Sequence, residues 1–376
     1  MKLLSVVGAR PNFVKIAPIL RALDAARQGR AITSVLVHTG QHYDSQMSAD
    51  FFSELEIPPP SHTLDVGSGS HAVQTAEIMR RFEPVVCEER PDAVLVVGDV
   101  NSTLACALTA AKLRVPVAHI EAGLRSFDRR MPEEINRLLT DTISDLLFTS
   151  EESANENLRR EGHAAGQICF VGSLMVDALR VYRPLAARST IRDRLGLTAT
   201  DDYALLTIHR ESNVDVAATL TQLLSALADL ARELPVIFPA HPRTRARIEA
   251  FGLGRFVERR SRDGTAAARG RLTMIDPLGY GDCVRLMSGA QVVFTDSGGM
   301  QEETTGLAVP CLTLRDTTER PVTLTGGTSV LVGNDPERIR AAARSALCSG
   351  RPPATLPPLW DGHAAERVVQ TLLQWL

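Results

Sequence analysis

Lysine is almost missing from this chain of 376 residues: it stands only at positions 2, 15 and 112, and every other basic side chain is arginine. With 41 basic and 44 acidic residues the net charge is −3, so no basic excess is available to hold a nucleic acid or an anionic membrane surface. No apolar run approaches the roughly 20 residues of a membrane span. The opening MKLLSVVGARP has no signal-peptide pattern and reads as a first strand entering a turn. The six cysteines (87, 106, 169, 283, 311, 348) are scattered, without CxxC or a Cys/His cluster. That excludes a zinc framework and points to reduced, mostly buried thiols of a cytoplasmic protein. Nor does a GxGxxG follow the first strand. GARPNFVK stands there instead, which argues against an NAD cofactor.

What is present is a repeated alternation of short apolar runs with helical patterns, the signature of βαβ units. The first half offers KLLSVVGA, ITSVLVHTG, DAVLVVGD, VPVAHIE, DLLFTS and ICFVG. After YRPLAARSTIRDRLG the alternation resumes with YALLTIH, PVIFPAH, LTMIDP, QVVFTDSG, CLTLRD and SVLVG. This predicts an α/β chain of two doubly wound, Rossmann-like domains facing a cleft, over residues 1–175 and 176–355. A closing helix, 356–376, follows the proline-rich RPPATLPPLW and is expected to pack back on the first domain.

The unusual polar residues fall where these strands end: Gly8-Ala9-Arg10, Gln41, Gly98-Asp99, Glu121, His209-Arg210, His241 and Asp296-Ser297. Ligands of open α/β sheets bind outside the carboxyl ends of the strands. In DSGGMQEE, Ser297-Gly298-Gly299 opens a helix whose free N–H groups suit a diphosphate, although the same three residues also make an ordinary tight turn. Arg10, Lys15 and Arg320 add cations. Lys15 reads equally as a solvated surface lysine, and a histidine such as His209 at a strand end is more often structural. Asp99 and Glu121 follow successive strands, so their carboxylates are expected close together, one acid beside one base. Alternatively Asp99 caps the helix that starts at Asn101.

Taken in order, GARPNFVKIAP, HTGQHYD, VGDVNSTLA, HIEAGLRSFDRRMPEEINR, TIHRESN, DPLGY, DSGGMQEE and RDTTERP resemble the non-hydrolysing UDP-N-acetylglucosamine 2-epimerases, from residue 2 to about residue 333. The resemblance implies the two-domain GT-B architecture, a homodimer, and interconversion of UDP-GlcNAc and UDP-ManNAc for bacterial surface polysaccharides, without NAD or metal. It makes Asp99, Glu121 and Glu133 the acid/base carboxylates and His209 the diphosphate-side histidine. Arg10, Lys15, Ser297, Gly298, Gly299, Glu303 and Arg320 match nucleotide-binding positions. Gln41, Gln46, Arg210 and His241 would line the second site at which some members are activated by their own substrate. The chain departs from the family at Cys283, where many members have phenylalanine, at VTL after ERP, and at VGSGSHAVQT, where activated members carry an arginine–glutamine pair. Rival readings are a 2-epimerase of a modified UDP-HexNAc, a hydrolysing epimerase, a GT-B glycosyltransferase, and a non-catalytic nucleotide-sugar sensor.

Overall fold

Runs such as AVLVV at 93–97 are apolar at every position because both faces of their sheet are covered, the condition of a parallel sheet flanked by helices. The computed structural model describes residues 1–27, 31–41, 52–198, 200–260, 271–353 and 355–376. They form two compact units, Met1–Val181 with Pro358–Leu376, and Tyr182–Pro357. The change of unit falls inside the helix Leu174–Ala187.

The first unit holds β1 (Lys2–Val7), β2 (Thr33–His38), β3 (His62–Thr63), β4 (Ala93–Val97), β5 (Val117–Ile120), β6 (Leu146–Thr149) and β7 (Ile168–Phe170). They pair in parallel in the order β3-β2-β1-β4-β5-β6-β7. One face packs Leu4, Val6, Val94 and Val96 against Ile78 and Phe82 from the helix His71–Glu89. The second unit holds β8 (Ala204–Thr207), β9 (Val236–Pro239), β10 (Val257–Arg259), β11 (Leu272–Ile275), β12 (Val292–Thr295), β13 (Cys311–Thr313) and β14 (Ser329–Leu331). These are again all parallel, in the order β10-β11-β9-β8-β12-β13-β14. Two doubly wound Rossmann-like domains are therefore present, as the alternation predicts. Every apolar run named above became a strand. The two strands not foreseen, β3 and β10, are edge strands of two and three residues with exposed or polar positions, too short to show a pattern.

Strand order reverses between β1 and β4 in the first sheet and between β8 and β12 in the second. A doubly wound sheet opens its crevice at such a switch point. Gly8–Arg10 and Gly98–Asp99 flank the first, and His209 and Asp296–Ser297 flank the second.

The last segment belongs to the first unit. Trp360 is fully buried and donates from Nε1 to the Ser150 carbonyl at 2.8 Å. Asp177 caps the helix Ala364–Trp375, accepting from Ala364 N at 3.1 Å and Ala365 N at 2.7 Å. That helix lies against the helix Arg10–Ala26. All six cysteines are free thiols; Cys106 and Cys311 are buried, while Cys87 and Cys348 are exposed.

Candidate active site

Asp99 and Glu121 leave the first sheet side by side, because β4 and β5 are hydrogen-bonded neighbours with Val97 opposite Ile120. Between them sits Gly98, with φ +70°. A side chain there would meet Asn12 Nδ2 at 3.3 Å, Lys15 Nζ at 3.6 Å and Glu121 Oε2 at 3.8 Å. A glycine is needed both for the backbone conformation and for the three polar groups that converge on it. Asn12 accepts from Gly8 N (3.2 Å) and Ala9 N (3.0 Å) and donates to the Val97 carbonyl (2.9 Å), which ties the β1 turn to β4. Arg10 is half-buried at the first position of its helix.

Lys15 is no surface lysine. It is 5% exposed, and its Nζ donates to Glu121 Oε2 in a buried ion pair. Glu121 has φ +68°, rare for a residue with a Cβ. Strain of this kind persists where surrounding contacts over-determine it, and such positions cluster at functional sites.

Asp99 does not cap the next helix; the N-cap is Val100, with no side-chain cap. Its Oδ2 accepts instead from Arg137 Nη1 at 2.5 Å, and its backbone oxygen accepts from Asn136 Nδ2 at 2.9 Å. The two neighbouring glutamates behave differently. Glu134 is 1% exposed and accepts from Ser126 N, Ser126 Oγ and Phe127 N at 2.9 Å each, and from Arg137 Nη2 at 2.5 Å. Burial works to raise its carboxyl, but the Ser126 and Arg137 hydrogen bonds outweigh that and hold it below the usual carboxylate range. Glu134 is thus the anchor of the 121–131 loop. Glu133 is half-buried in the first turn of the helix Pro132–Ile143, where the N-terminus favours negative charge. Of the three arginines in the loop, Arg125 is buried against Asp141 and Glu161, whereas Arg129 and Arg130 are exposed.

In the second unit the rim is organised by Asp296, which is 0% exposed. It accepts from His209 N (3.0 Å), Arg210 N (2.9 Å) and Asn213 Nδ2 (3.1 Å), and His209 Nδ1 lies 3.0 Å from its Oδ1. Burial works to raise its carboxyl, yet the His209 ring and the backbone N–H groups outweigh burial and bring it down to about 2. The His209 ring is therefore oriented through Nδ1, with Nε2 on its opposite edge.

Ser297 is the N-cap of the helix Gly298–Leu307 and makes no side-chain cap, so the first N–H groups of the helix keep their donor capacity for other acceptors. Gly298 is required: a Cβ would lie 2.4 Å from both Arg320 Nη1 and Glu319 Oε1. Gly299 is the second residue of that helix and half-buried. Arg320 is held by Glu302 (Nε to Oε2, 2.5 Å) and Glu319 (Nη1 to Oε1, 2.6 Å), so much of its charge is balanced beneath the helix start. Glu303 is buried beside Tyr280, whose phenol is pushed well up, by burial first and then by this carboxylate.

Of the second-site candidates, Gln41 belongs to the first unit and Arg210 and His241 to the second. Gln41 is buried, and its Oε1 accepts from Ser102 N (3.1 Å) and Ser102 Oγ (2.6 Å) at the start of the helix Asn101–Lys112. Gln46 lies outside the described residues. Arg210 Nε donates to the Asp296 carbonyl at 2.9 Å. His241 accepts at Nδ1 from Arg243 N, and its ring centroid lies 5.9 Å from that of His209.

Sequence reasoning placed Asp296 at a strand end without giving it a role, and missed Arg137, Asn136, His119 and Asp141. Arg137 had one legible signal, its i,i+3 spacing from Glu134 on a helix. The others had none, since their partners lie far along the chain.

The comparisons with known proteins identify the family. The UDP-N-acetylglucosamine 2-epimerase family model matches residues 24–373. A UDP-N-acetylglucosamine 2-epimerase of Methanocaldococcus jannaschii is 41% identical over 376 residues, covering 99% of each chain. A UDP-2,3-diacetamido-2,3-dideoxy-D-glucuronate 2-epimerase of Pseudomonas aeruginosa is 42% identical over 350 residues, 92% of each. Among solved structures, the M. jannaschii UDP-GlcNAc 2-epimerase in complex with UDP-GlcNAc and UDP superposes with a TM-score of 0.90 at 40% identity, covering 100% of both chains. This chain belongs to the UDP-N-acetylglucosamine 2-epimerase family.

Proposed function

We propose that this protein interconverts UDP-GlcNAc and UDP-ManNAc by eliminating UDP to 2-acetamidoglucal and adding it back. The observation that carries the proposal is the pair of carboxylates at the first switch point, Asp99 on Arg137 and Glu121 on Lys15, with Glu133 on the helix that supplies Arg137. The C2 proton of such a sugar is not acidic, having no adjacent carbonyl. As the C1–O bond breaks, positive character at C1 acidifies it. A carboxylate takes the proton, the C–H electron pair becomes the C1=C2 bond, and UDP leaves with the C–O pair. In the return step a second acid delivers a proton to the opposite face of C2 and the phosphate oxygen re-attacks C1. Two faces need two proton-handling groups. His209 and the N–H groups after Ser297 are assigned the diphosphate, where negative charge develops. Arg10 and Lys15 complete the cationic surroundings. Glu303 is assigned the ribose, and Arg320 supports the helix start that receives the phosphates.

In deuterated water, UDP-GlcNAc is expected to give UDP-ManNAc carrying deuterium at C2. Product retaining the original hydrogen would exclude the scheme, free ManNAc with UDP would indicate a hydrolase, and an unchanged sugar would leave the transferase and sensor readings. Gly298→Ala is expected to weaken UDP binding at least about tenfold and cost about 1–3 kcal/mol of stability, because the added Cβ must displace the buried Arg320–Glu319 pair at the helix start. Titration calorimetry and urea unfolding check the two effects. The P. aeruginosa relative favours a second reading, a substrate substituted at C3 or C6. A panel of UDP-HexNAc variants followed by NMR separates the two. Cytoplasmic location and a homodimer, read by light scattering, belong to the same proposal. Among the described residues no helix is long and apolar enough to cross a membrane.

A further inference from the structure

We infer that His119 and Asp141 form a buried positioning couple that sets the spacing between the turns carrying Asp99 and Glu121, and so decides whether a turnover ends in the epimer or in loss of the intermediate. The inference rests on the elimination–addition reading above.

His119 occupies a fully buried position of β5, where a valine would suit the strand better and where a polar side chain is costly unless every polar atom is bonded. Its Nε2 lies 2.8 Å from the Gly98 carbonyl and its Nδ1 lies 2.6 Å from Asp141 Oδ1. Both partners are acceptors, so each ring nitrogen faces an oxygen and neither is left without a partner. Asp141, 0% exposed on the helix Pro132–Ile143, uses its other oxygen to accept from Gly123 N at 3.0 Å and to pair with Arg125 Nη2 at 2.6 Å. Arg125 is anchored in turn on Glu161, with Nε to Oε1 at 2.8 Å.

The couple therefore grips two peptides of the rim, the carbonyl immediately before Asp99 and the amide two residues after Glu121, together with the Arg125 side chain of the same loop. Both turns need such a grip. Glu121 holds φ of +68°, left-handed backbone that a residue with a Cβ rarely adopts, and the flanking turns at Gly98 and Gly123, at +70° and +78°, are open to glycine alone at no cost. Gly123 is wedged as well, since a Cβ there would stand 2.5 Å from the Ala154 carbonyl oxygen. A displacement of about 1 Å in a reacting group costs on the order of 10²-fold in rate, so the span between the turns is a catalytic quantity. Neither His119 nor Asp141 is assigned contact with the sugar nucleotide; each acts through the carboxylates it places.

The test compares His119→Asn with His119→Gln in the full-length protein. An asparagine amide falls near Nδ1 and keeps the Asp141 bond but drops Gly98; a glutamine amide reaches the Nε2 position and keeps the Gly98 bond. UDP-GlcNAc is supplied in deuterated water, and NMR counts UDP-ManNAc against released UDP plus 2-acetamidoglucal. This ratio is a property of each turnover and does not depend on how much protein is folded. His119→Asn is expected to raise glucal released per epimer at least about tenfold, with kcat down about 10- to 100-fold and KM within about threefold. His119→Gln is expected to recover much of the wild-type ratio. If the histidine variants do not fold, Asp141→Asn is expected to give the same rise. Wild-type ratios in the folded variants would overturn the inference and leave His119 a filler of the core. Absence of C2 deuterium in the wild-type product would instead overturn the reaction scheme, so the two failures are distinguishable.

Discussion

Replacing Glu121 with glutamine is expected to lower kcat by about 10³-fold, within the usual range for loss of a general acid or base. It is also expected to cost about 3–5 kcal/mol of stability. The pair with Lys15 is buried on both sides, with side chains 6% and 5% exposed, and removing one partner leaves the other an uncompensated buried charge. The two effects separate in a double variant. Lys15→Met with Glu121→Gln removes both charges, so urea unfolding is expected to show stability largely recovered while kcat stays down. UDP affinity of Glu121→Gln, by calorimetry, is expected to change less than about threefold, since the groups assigned direct bonds to the diphosphate, His209 and the N–H groups after Ser297, stand in the second unit. A variant retaining more than a tenth of wild-type kcat would remove Glu121 from the chemistry.

The second large effect belongs to Asp296. Asp296→Ala takes the acceptor away from His209 N, Arg210 N and Asn213 Nδ2 and frees the His209 ring. Buried donors left unsatisfied cost about 1–3 kcal/mol each at most, so a loss of about 3–5 kcal/mol is expected, with kcat down about 10²-fold as His209 loses its orientation. Asp296 also predicts an acid dependence. Its folded value of about 2 lies below the ordinary 3.8, so it contributes stability that is fully present above about pH 4. That contribution is lost as pH falls from about 4 to 2, amounting to about 2 kcal/mol at 1.36 kcal/mol per unit. Urea unfolding between pH 2 and 6 should show a slope in the wild type that is shallower in Asp296→Asn, the remainder belonging to other depressed carboxylates such as Glu134. Equal slopes in both proteins would assign the acid lability to other carboxylates.

Much of the fold was legible because a parallel sheet writes itself locally. A strand covered on both faces must be apolar along its length, as AVLVV is, and its end must turn within a few residues, as Gly98-Asp99 does. The rim was legible for the same reason: residues just past the strands can only lie at the carboxyl edge of the sheet. Edge strands such as His62–Thr63 escaped because two residues carry no periodicity. Within the rim, position was predictable and partnership was not. Glu133 and Glu134 look equivalent in PEEINR, yet one faces the half-buried first turn while the other is consumed by Ser126, Phe127 and Arg137. Arg320 was expected as a cation for phosphate; its pairing with Glu302 and with a Glu319 shared with Arg315 was not legible.

Composition, the alternation of apolar runs and the residues that follow each strand were enough to predict two doubly wound domains and a short roster of polar residues and glycines at the strand ends, and the resemblance of the ordered motifs pointed to the family. Those features depend on neighbours within a few positions, which is the range over which a chain reveals its own geometry. The tertiary structure alone decided the electrostatics: that Arg137 reaches back to Asp99, that Lys15 is buried on Glu121, that Asp296 holds His209, and that His119 and Asp141 clamp two tight turns. Each of these pairs is separated by 22 to 106 residues. A charge's partner is chosen by which elements the packing brings within about 3 Å, and in a low-dielectric interior that choice determines what the group can do.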